Sequence, residues 1–489
     1  MARKQHVYQE RSQQRHNQHV RTPQGHNQQV RAKKKTRNVR TQDQSVRRTT
    51  QNRMTHRIAG SAIAVIGGGA AGLMAAVVAS GALEVRQDGP ALPSSDAHYR
   101  QVTLYEAQNR TGKPILVTGA GRCNITNAQV SPSAYRNDAF VTQAFSKCPP
   151  SQVMDAFSLL GLGVYEEDEG RCYPVTNRAT TVVDVLRAAM LRAGVEEQCH
   201  RRVEALEHTP EGWYVCMPDG KEGPYAAVVI ATGGKPAAHI LPDDVPCTPL
   251  QPVLAPLKIQ GVNLRPVNRM RARCILSYKE HSEVGEAMFR SDGISGIAAF
   301  NISRMVSPGD TIVLNLTPDA QAISDGQGEI FFARRAEQIH PRTWEDMCRG
   351  LFLPRVGQII LSYAGLSGQD TFDRDRLPDF VHAATHMELT VEGIADPGRA
   401  QVHRGGIDVS TIDPHTMELR QYPGLFVAGE GVDVDGPCGG YNLHWAWTSG
   451  LLAGAAAAQK LAQRKIAKQK LARQKPAQQK PAQQKDDLQ

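Results

Sequence analysis

From Ile58 to Leu83 the chain runs 26 residues without a charged side chain, and six of them are glycine, at 60, 67, 68, 69, 72 and 81. An uncharged run of that length after a basic stretch has the outline of a membrane span or a signal sequence. Three consecutive glycines in its middle argue against both, because each costs a helix roughly 1 kcal/mol relative to alanine. A 57-residue leader is also far longer than a signal n-region. The run resolves better into a buried strand (Ile63-Ala64-Val65-Ile66), a turn (Gly67 to Gly72) and a helix (Leu73 to Ser80) closed by Gly81. That is G-x-G-x-x-G in the strand–turn–helix context that gives the motif its meaning. Gly67 permits the tight turn, Gly69 lets the backbone approach a pyrophosphate, and Gly72 lets the helix pack close to the strand. The helix N-terminus then offers unpaired N–H groups to phosphate. Gly67, Gly69, Ala71 and Gly72 are the candidate contacts.

The acidic residue expected at the end of the second strand is Glu106, after Val102-Thr103-Leu104-Tyr105. A polar, Pro-containing insertion at about 86 to 100 lengthens the connection to it. A carboxylate there accepts hydrogen bonds from ribose hydroxyls and repels a 2′-phosphate, which points to the adenosine of FAD or NAD. Two later apolar strands end in small residues, Ala227 to Ile230 before Thr232-Gly233 and Leu425 to Val427 before Gly429-Glu430. A nicotinamide domain needs only the first unit, whereas flavin enzymes return to it with late strands, so the pattern favours FAD. Thr232, Gly233, Gly429 and Glu430 join the candidate cofactor contacts. Val203, at the start of a strand-like run, is the position such folds use for backbone contact to adenine.

Charge divides the chain in three. Residues 1–57 hold 15 basic and 2 acidic side chains and residues 459–489 hold 9 and 2, which leaves 33 basic and 44 acidic groups for the body between them. The overall +9 therefore belongs to two tails on an acidic body. The N-terminal tail is rich in Gln, Asn, His and Arg, with little apolar content to offset ordering, and is expected to be disordered. The C-terminal tail repeats Lys every five residues from 465 to 485, and its first part, through about Arg473, extends an Ala-rich helix. Tyr8 is the single Phe, Tyr or Trp in the two tails, too few aromatic residues to interleave with the charge as stacking platforms, so a nucleic-acid partner is not favoured. Met54, four residues before Ile58, is a second candidate start, tested by the intact mass of natively expressed protein. Nine cysteines with no Cys-x-x-Cys pair argue for a reducing, cytoplasmic setting and against a disulfide framework or a metal site.

Four blocks carry a specific resemblance: Gly67 to Gly72; Gly112-Lys113 through Gly119-Ala120-Gly121-Arg122-Cys123-Asn124-Ile125-Thr126-Asn127; Arg171 to Pro174 with Asn177-Arg178-Ala179; and Gly429-Glu430 through Asp433 to Trp447. With them the body resembles the BaiN/YhiN-like NAD(P)/FAD-dependent oxidoreductases, also described as aminoacetone-oxidase-type FAD-binding proteins. The resemblance implies an α/β fold with a Rossmann-like FAD-binding domain in two parts, 58–239 and 401–458. A β-rich substrate domain with a small helical piece would be inserted at 240–400, and disordered basic tails would flank the body at 1–57 and 459–489. It also implies NAD(P)H as reductant and an organic small-molecule acceptor, for which the conjugated C=C of a 3-oxo steroid or bile acid is one choice. Gly121, Arg122 and Asn124, with Gly439, Gly440, Tyr441 and Asn442, become candidate contacts to the pyrophosphate or ring, and Tyr441 and His444 candidate proton donors. The chain departs from the family in three places. The Gly-Ser/Thr-rich segment and short helix that usually follow the turn ending at Gly234 read as deleted, Phe289 to Ile297 lacks the family's His and Pro, and His444 replaces a more usual Gln. Two other readings stay open: a flavoprotein that acts on or binds RNA through its basic tails, and a flavin-binding protein without turnover.

Overall fold

The computed structural model describes residues 62–317 and 328–474, so the expectations for residues 1–57, for Met54 and for the repeat beyond Gln474 lie outside the described residues. Five parallel strands form the central sheet in the order Leu425–Val427, Ala227–Ile230, Ile63–Ile66, Val102–Glu106 and Glu196–Cys199. The first three are continuous apolar runs because both faces are covered, and Val102–Glu106 is buried along its length although it carries Thr103 and Glu106. Charge appears on the edge strand, at Glu196 and Glu197, where an unpaired flank is thereby blunted.

One face of the sheet is covered by the helix Ala70–Ser80, and the long helix Tyr441–Gln474 packs across it. Gly450 and Gly454 set the approach, because a Cβ at either position would lie 2.6 Å from a carbonyl oxygen, that of Ala71 or Ala75. Gly454→Leu is therefore expected to push the helices apart and cost about 1–3 kcal/mol. A parent-like midpoint in urea denaturation would refute that packing. The long helix does not stop at residue 459, where the basic tail was expected to begin. Lys460 pairs with Glu418 at 2.9 Å, and Arg464 donates to the carbonyls of Glu211 and Tyr225. The expected helical extension through Arg473 is thus present, and its first turns are anchored to the body.

Two antiparallel strands, Cys247–Val253 and Val402–Ile407, lead out to the insertion and back. Between them six antiparallel strands close into a barrel in the order Leu257–Gln260, Gly293–Ser295, His281–Arg290, Arg271–Tyr278, Thr311–Asn315 and Met387–Ile394. Alternation along Met387–Ile394 turns Met387, Leu389 and Val391 inward against Leu276, Ile312 and Leu314. Four helices, Gly328–Ile339, Trp344–Cys348, Pro354–Tyr363 and Leu377–Thr385, supply the helical piece and pack Phe332, Trp344 and Phe380 into the same core. Among the described residues no helix is long and apolar enough to cross a membrane.

Candidate functional site

Strand order reverses at Ile63–Ile66, which has the second strand on one side and the fourth on the other. A crevice opens beyond the carboxyl ends at such a switch point, and ligands of open α/β sheets bind there. Gly67 occupies it with φ 103°, a region that disfavours side chains, while its N–H donates to the Tyr105 carbonyl at 2.8 Å. At Gly72 a Cβ would lie 1.8 Å from the Gly67 carbonyl oxygen, so turn and helix fit together only without a side chain. Gly69 is different: a Cβ there meets nothing within 4 Å, and no side chain caps the helix that follows. The turn is closed on the protein side and open on the other, with first-turn N–H groups left for an anion.

Glu106 is buried, and its two oxygens accept from the Gly68 N–H at 2.8 Å and the Gln108 N–H at 2.7 Å. Its own carbonyl accepts from Arg201 N at 2.9 Å, which ties the 201–204 connection to the end of the second strand. Val203 lies in that connection, before the strand Ala205–Thr209, and neither its N–H nor its carbonyl has a partner among the described residues. Thr232, after the fourth strand, is followed by Gly233 at φ 80°, and its buried hydroxyl is unpartnered.

Gly429 joins the late strand to the first turn: a Cβ on it would lie 2.9 Å from the Ala71 Cβ. Its N–H donates to Ser449 Oγ at 2.9 Å and its carbonyl accepts from Trp445 Nε1 at 3.2 Å. Gly439 and Gly440, at φ 104° and 105°, form the corner before the long helix. A Cβ on Gly440 would lie 2.5 Å from the Thr126 carbonyl and 3.0 Å from Asn124 Oδ1, which is buried without a partner. Two blocks 300 residues apart in sequence are thereby brought into contact. Asn442 spends its amide on the loop, accepting from Gly436 N at 2.9 Å and donating to Gly436 O at 2.8 Å and Pro437 O at 3.2 Å.

The two candidate proton donors fare differently. His444 is 1% exposed, its Nδ1 shares a 2.7 Å hydrogen bond with Thr126 Oγ1, and burial pulls its pKa down to about 3. The ring is therefore neutral at physiological pH, and its buried Nε2 has no partner among the described residues. Tyr441 is half-buried, and its hydroxyl has no hydrogen-bond partner among the described residues. Burial, and then the nearby Glu283 carboxylate, raise its pKa above the ordinary phenol value.

The Arg122 side chain already has protein partners. Its guanidinium pairs with Glu167, donates to Tyr165 Oη and Asn177 Oδ1 at 2.9 Å each, and lies 3.9 Å over the Tyr173 ring. Gly121, at φ 86°, ends the short turn Thr118–Gly121 just before it. Glu430 accepts from His403 N at 2.9 Å and from its Nδ1 at 3.2 Å. After Gly233 the chain forms the helix Gly234–Ile240, so a short helix does follow the small-residue turn.

Sequence reasoning missed a buried ion cluster. Asp435 accepts from Arg304 Nε at 2.8 Å and Arg404 Nε at 3.0 Å, with its carboxylate 1% exposed. Its partners lie 131 and 31 residues away, so no local pattern signals the pairing.

The open cradle at Gly69, the unpaired backbone of Val203 and the unpartnered buried atoms of Thr232 and Asn124 together fit an FAD. Fold and site define a Rossmann-type FAD-dependent oxidoreductase. Residues 61–456 match the HI0933-like protein Rossmann domain, and the chain belongs to that family. It is 30% identical to the 3-dehydro-bile acid delta(4,6)-reductase of Clostridium scindens over 81% of this chain and 99% of that protein. It is also 26% identical to the ribosomal RNA dihydrouridine synthase of Haemophilus influenzae, over 72% of this chain and 90% of that protein. The synthase of the same name from Escherichia coli is 27% identical, over 79% and 95%.

Proposed function

We propose that the chain is an NAD(P)H-consuming, FAD-dependent reductase of a C=C bond conjugated to a carbonyl. The observation that carries this is the unpartnered Tyr441 hydroxyl at the start of the long helix, next to the loop that the barrel holds through Asn301. Relatives support it: a 3-oxo delta(4,6) steroid and the uracil ring of uridine both hold a C=C conjugated to a carbonyl, although their sizes differ greatly. FAD, when bound, supplies hydride chemistry that no side chain can. The chain supplies position and a proton. The 67–72 turn and its helix would hold the pyrophosphate, Glu106 the ribose hydroxyls, and the Val203 backbone the adenine. Thr232, Gly233, Asn124, Gly429 and the Gly439–Gly440 corner would frame the rest of the cofactor in a domain built from 58–239 and 401–458. Tyr441 stays protonated at neutral pH because burial and Glu283 both disfavour the phenolate, and its Oη would deliver the proton to the acceptor's α-carbon. The odd number of cysteines and the lack of a Cys-x-x-Cys pair support a reducing, cytoplasmic setting.

The steroid-like acceptor is the first choice, from the more similar relative. Ribosomal RNA is the second, supported by the names of the other two and by residues 459–474, which hold six basic and no acidic residues. The test is the visible spectrum of the purified protein, then anaerobic NADH or NADPH, then reoxidation by a 3-oxo-Δ4 steroid or by a ribosomal RNA transcript. Bleaching by nicotinamide and recovery with one acceptor is the expected result. A protein that takes up no FAD sinks the reading, and bound FAD that no nicotinamide bleaches leaves a flavin-binding protein without turnover.

A further inference from the structure

The loop from Asp433 to Gly440 has almost no regular structure, so its backbone polar groups need partners from outside. Some come from its own domain. Asp433 accepts from Arg136 Nε and from Gly405 N, each at 3.0 Å, and Asn442 holds Gly436. Others come from the inserted barrel. Asn301, on the helix Ile297–Ile302 that follows the barrel strand Gly293–Ser295, is 7% exposed and accepts the Cys438 N–H on Oδ1 at 2.8 Å. The same amide donates through Nδ2 to Glu283 Oε2 at 2.8 Å, so Glu283 fixes which way the amide faces. Arg304, one turn further on, reaches the loop a second time: Nε donates to the Asp435 carboxylate at 2.8 Å, and Nη2 to the Asp435 carbonyl at 3.0 Å and the Ala134 carbonyl at 3.3 Å. Arg404 returns a bond to the Arg304 carbonyl and so locks the far side.

We propose that Asn301 and Arg304 are positioning residues through which the inserted barrel completes the ring end of the cofactor site, by setting the loop that carries Gly439, Gly440 and Tyr441. The geometry requires it in one respect: without the barrel the Cys438 N–H loses its Asn301 partner, and the Asp435 carbonyl keeps only the Arg136 N–H at 2.9 Å. Glu283 orients Asn301, and its charge is one of the causes that raise the Tyr441 pKa. An enzyme assembled this way has its proton donor in register only when the barrel is seated. This rests on the function proposed above only in taking the 439–441 corner as the ring end.

The experiment uses the full-length FAD-loaded protein and two readouts, hydrogen exchange of the 433–441 amides and the absorption and fluorescence of the bound flavin. Asn301→Leu removes both amide bonds at similar volume. It is expected to raise loop exchange about tenfold, the effect of one lost hydrogen bond, and to raise flavin fluorescence together with a shift of the visible bands. Asn301→Asp combined with Glu283→Gln exchanges carboxylate for amide: the 301–283 bond re-forms with donor and acceptor reversed, and the Cys438 N–H again donates to a residue-301 oxygen, so exchange and spectrum are expected to return to the parent's. Arg304→Lys keeps the charge beside Asp435 but loses the forked contact, and moves both readouts in the same direction if Asn301→Leu does not fold. Parent-like exchange in Asn301→Leu, or raised exchange with an unchanged flavin spectrum, would overturn the proposal. Should the parent take up no FAD, the function falls, while exchange in the apo protein still decides whether the barrel sets the loop.

Discussion

Gly72→Ala is expected to abolish stable FAD retention while leaving the barrel folded. A Cβ at this position meets the Gly67 carbonyl oxygen at 1.8 Å and its carbon at 3.0 Å, and both are backbone, so neither can rotate away. Relief requires the helix Ala70–Ser80 to move off the turn, which Gly450 and Gly454 of the long helix oppose from the other side. Overpacking of this kind costs about 1–3 kcal/mol, and when it falls on the phosphate cradle it is expected to weaken binding by about a hundredfold. Gly69→Ala separates fold from binding. Its φ of −82° suits any residue and its Cβ meets nothing within 4 Å, so stability should not change. Affinity should fall all the same if the open side of the turn is where the pyrophosphate approaches. Fluorescence-quenching titration with FAD and urea denaturation of both variants read the two quantities. Parent affinity in both variants would remove the turn from the cofactor site.

Asp435→Ala is expected to be the most destabilising substitution in the body. It leaves the guanidinium groups of Arg304 and Arg404, whose side chains are 10% and 22% exposed, facing a cavity with no counter-charge. Removing one partner of a buried ion cluster costs about 3–5 kcal/mol, because the remaining charge is desolvated and unpaired. The same cluster should appear in the pH dependence. Burial by itself would raise the Asp435 pKa, but the hydrogen bond from Arg404 and the charges of Arg304 and Arg404 outweigh it and hold the carboxyl below its ordinary value. A depressed folded-state pKa stabilises the fold at any pH above the ordinary aspartate value of about 4, and that contribution disappears as pH falls through the lowered one. Denaturation midpoints between pH 7 and pH 3 should therefore drop more steeply for the parent than for Asp435→Asn, which has already lost the charge. Parallel profiles would mean that the cluster does not govern acid stability.

Much of the central sheet was legible before any tertiary contact was known. The strand, turn and helix from Ile63 to Ser80 follow from apolar runs and glycine spacing, which act on the backbone locally. Glu106 follows from the same logic one strand later, and its hydrogen bond to the Gly68 N–H holds it against the turn. The late strands Ala227–Ile230 and Leu425–Val427 were also readable, because a strand buried on both faces must be continuously apolar.

Side-chain roles were less legible, for electrostatic reasons. Arg122 looked like a phosphate ligand from its glycine-rich neighbours, yet Glu167, 45 residues on, takes its charge. His444 looked like an acid because its type titrates near neutrality, but in the core, between Thr126 and Phe145, desolvation leaves it neutral. The worth of a charge depends on which groups lie within a few ångströms and how much water is excluded, and neither is a property of the neighbouring sequence.

The chain by itself therefore determined the dinucleotide turn, its carboxylate, the parallel strands and the basic tails, all of which depend on short-range backbone geometry or on counting charge. Tertiary structure alone decided that the inserted strands close into a barrel and that Asn301, Arg304 and Arg404 converge on the Asp433–Tyr441 loop. Those outcomes depend on contacts between residues separated by 30 to 140 positions, and only the folded chain brings such residues together.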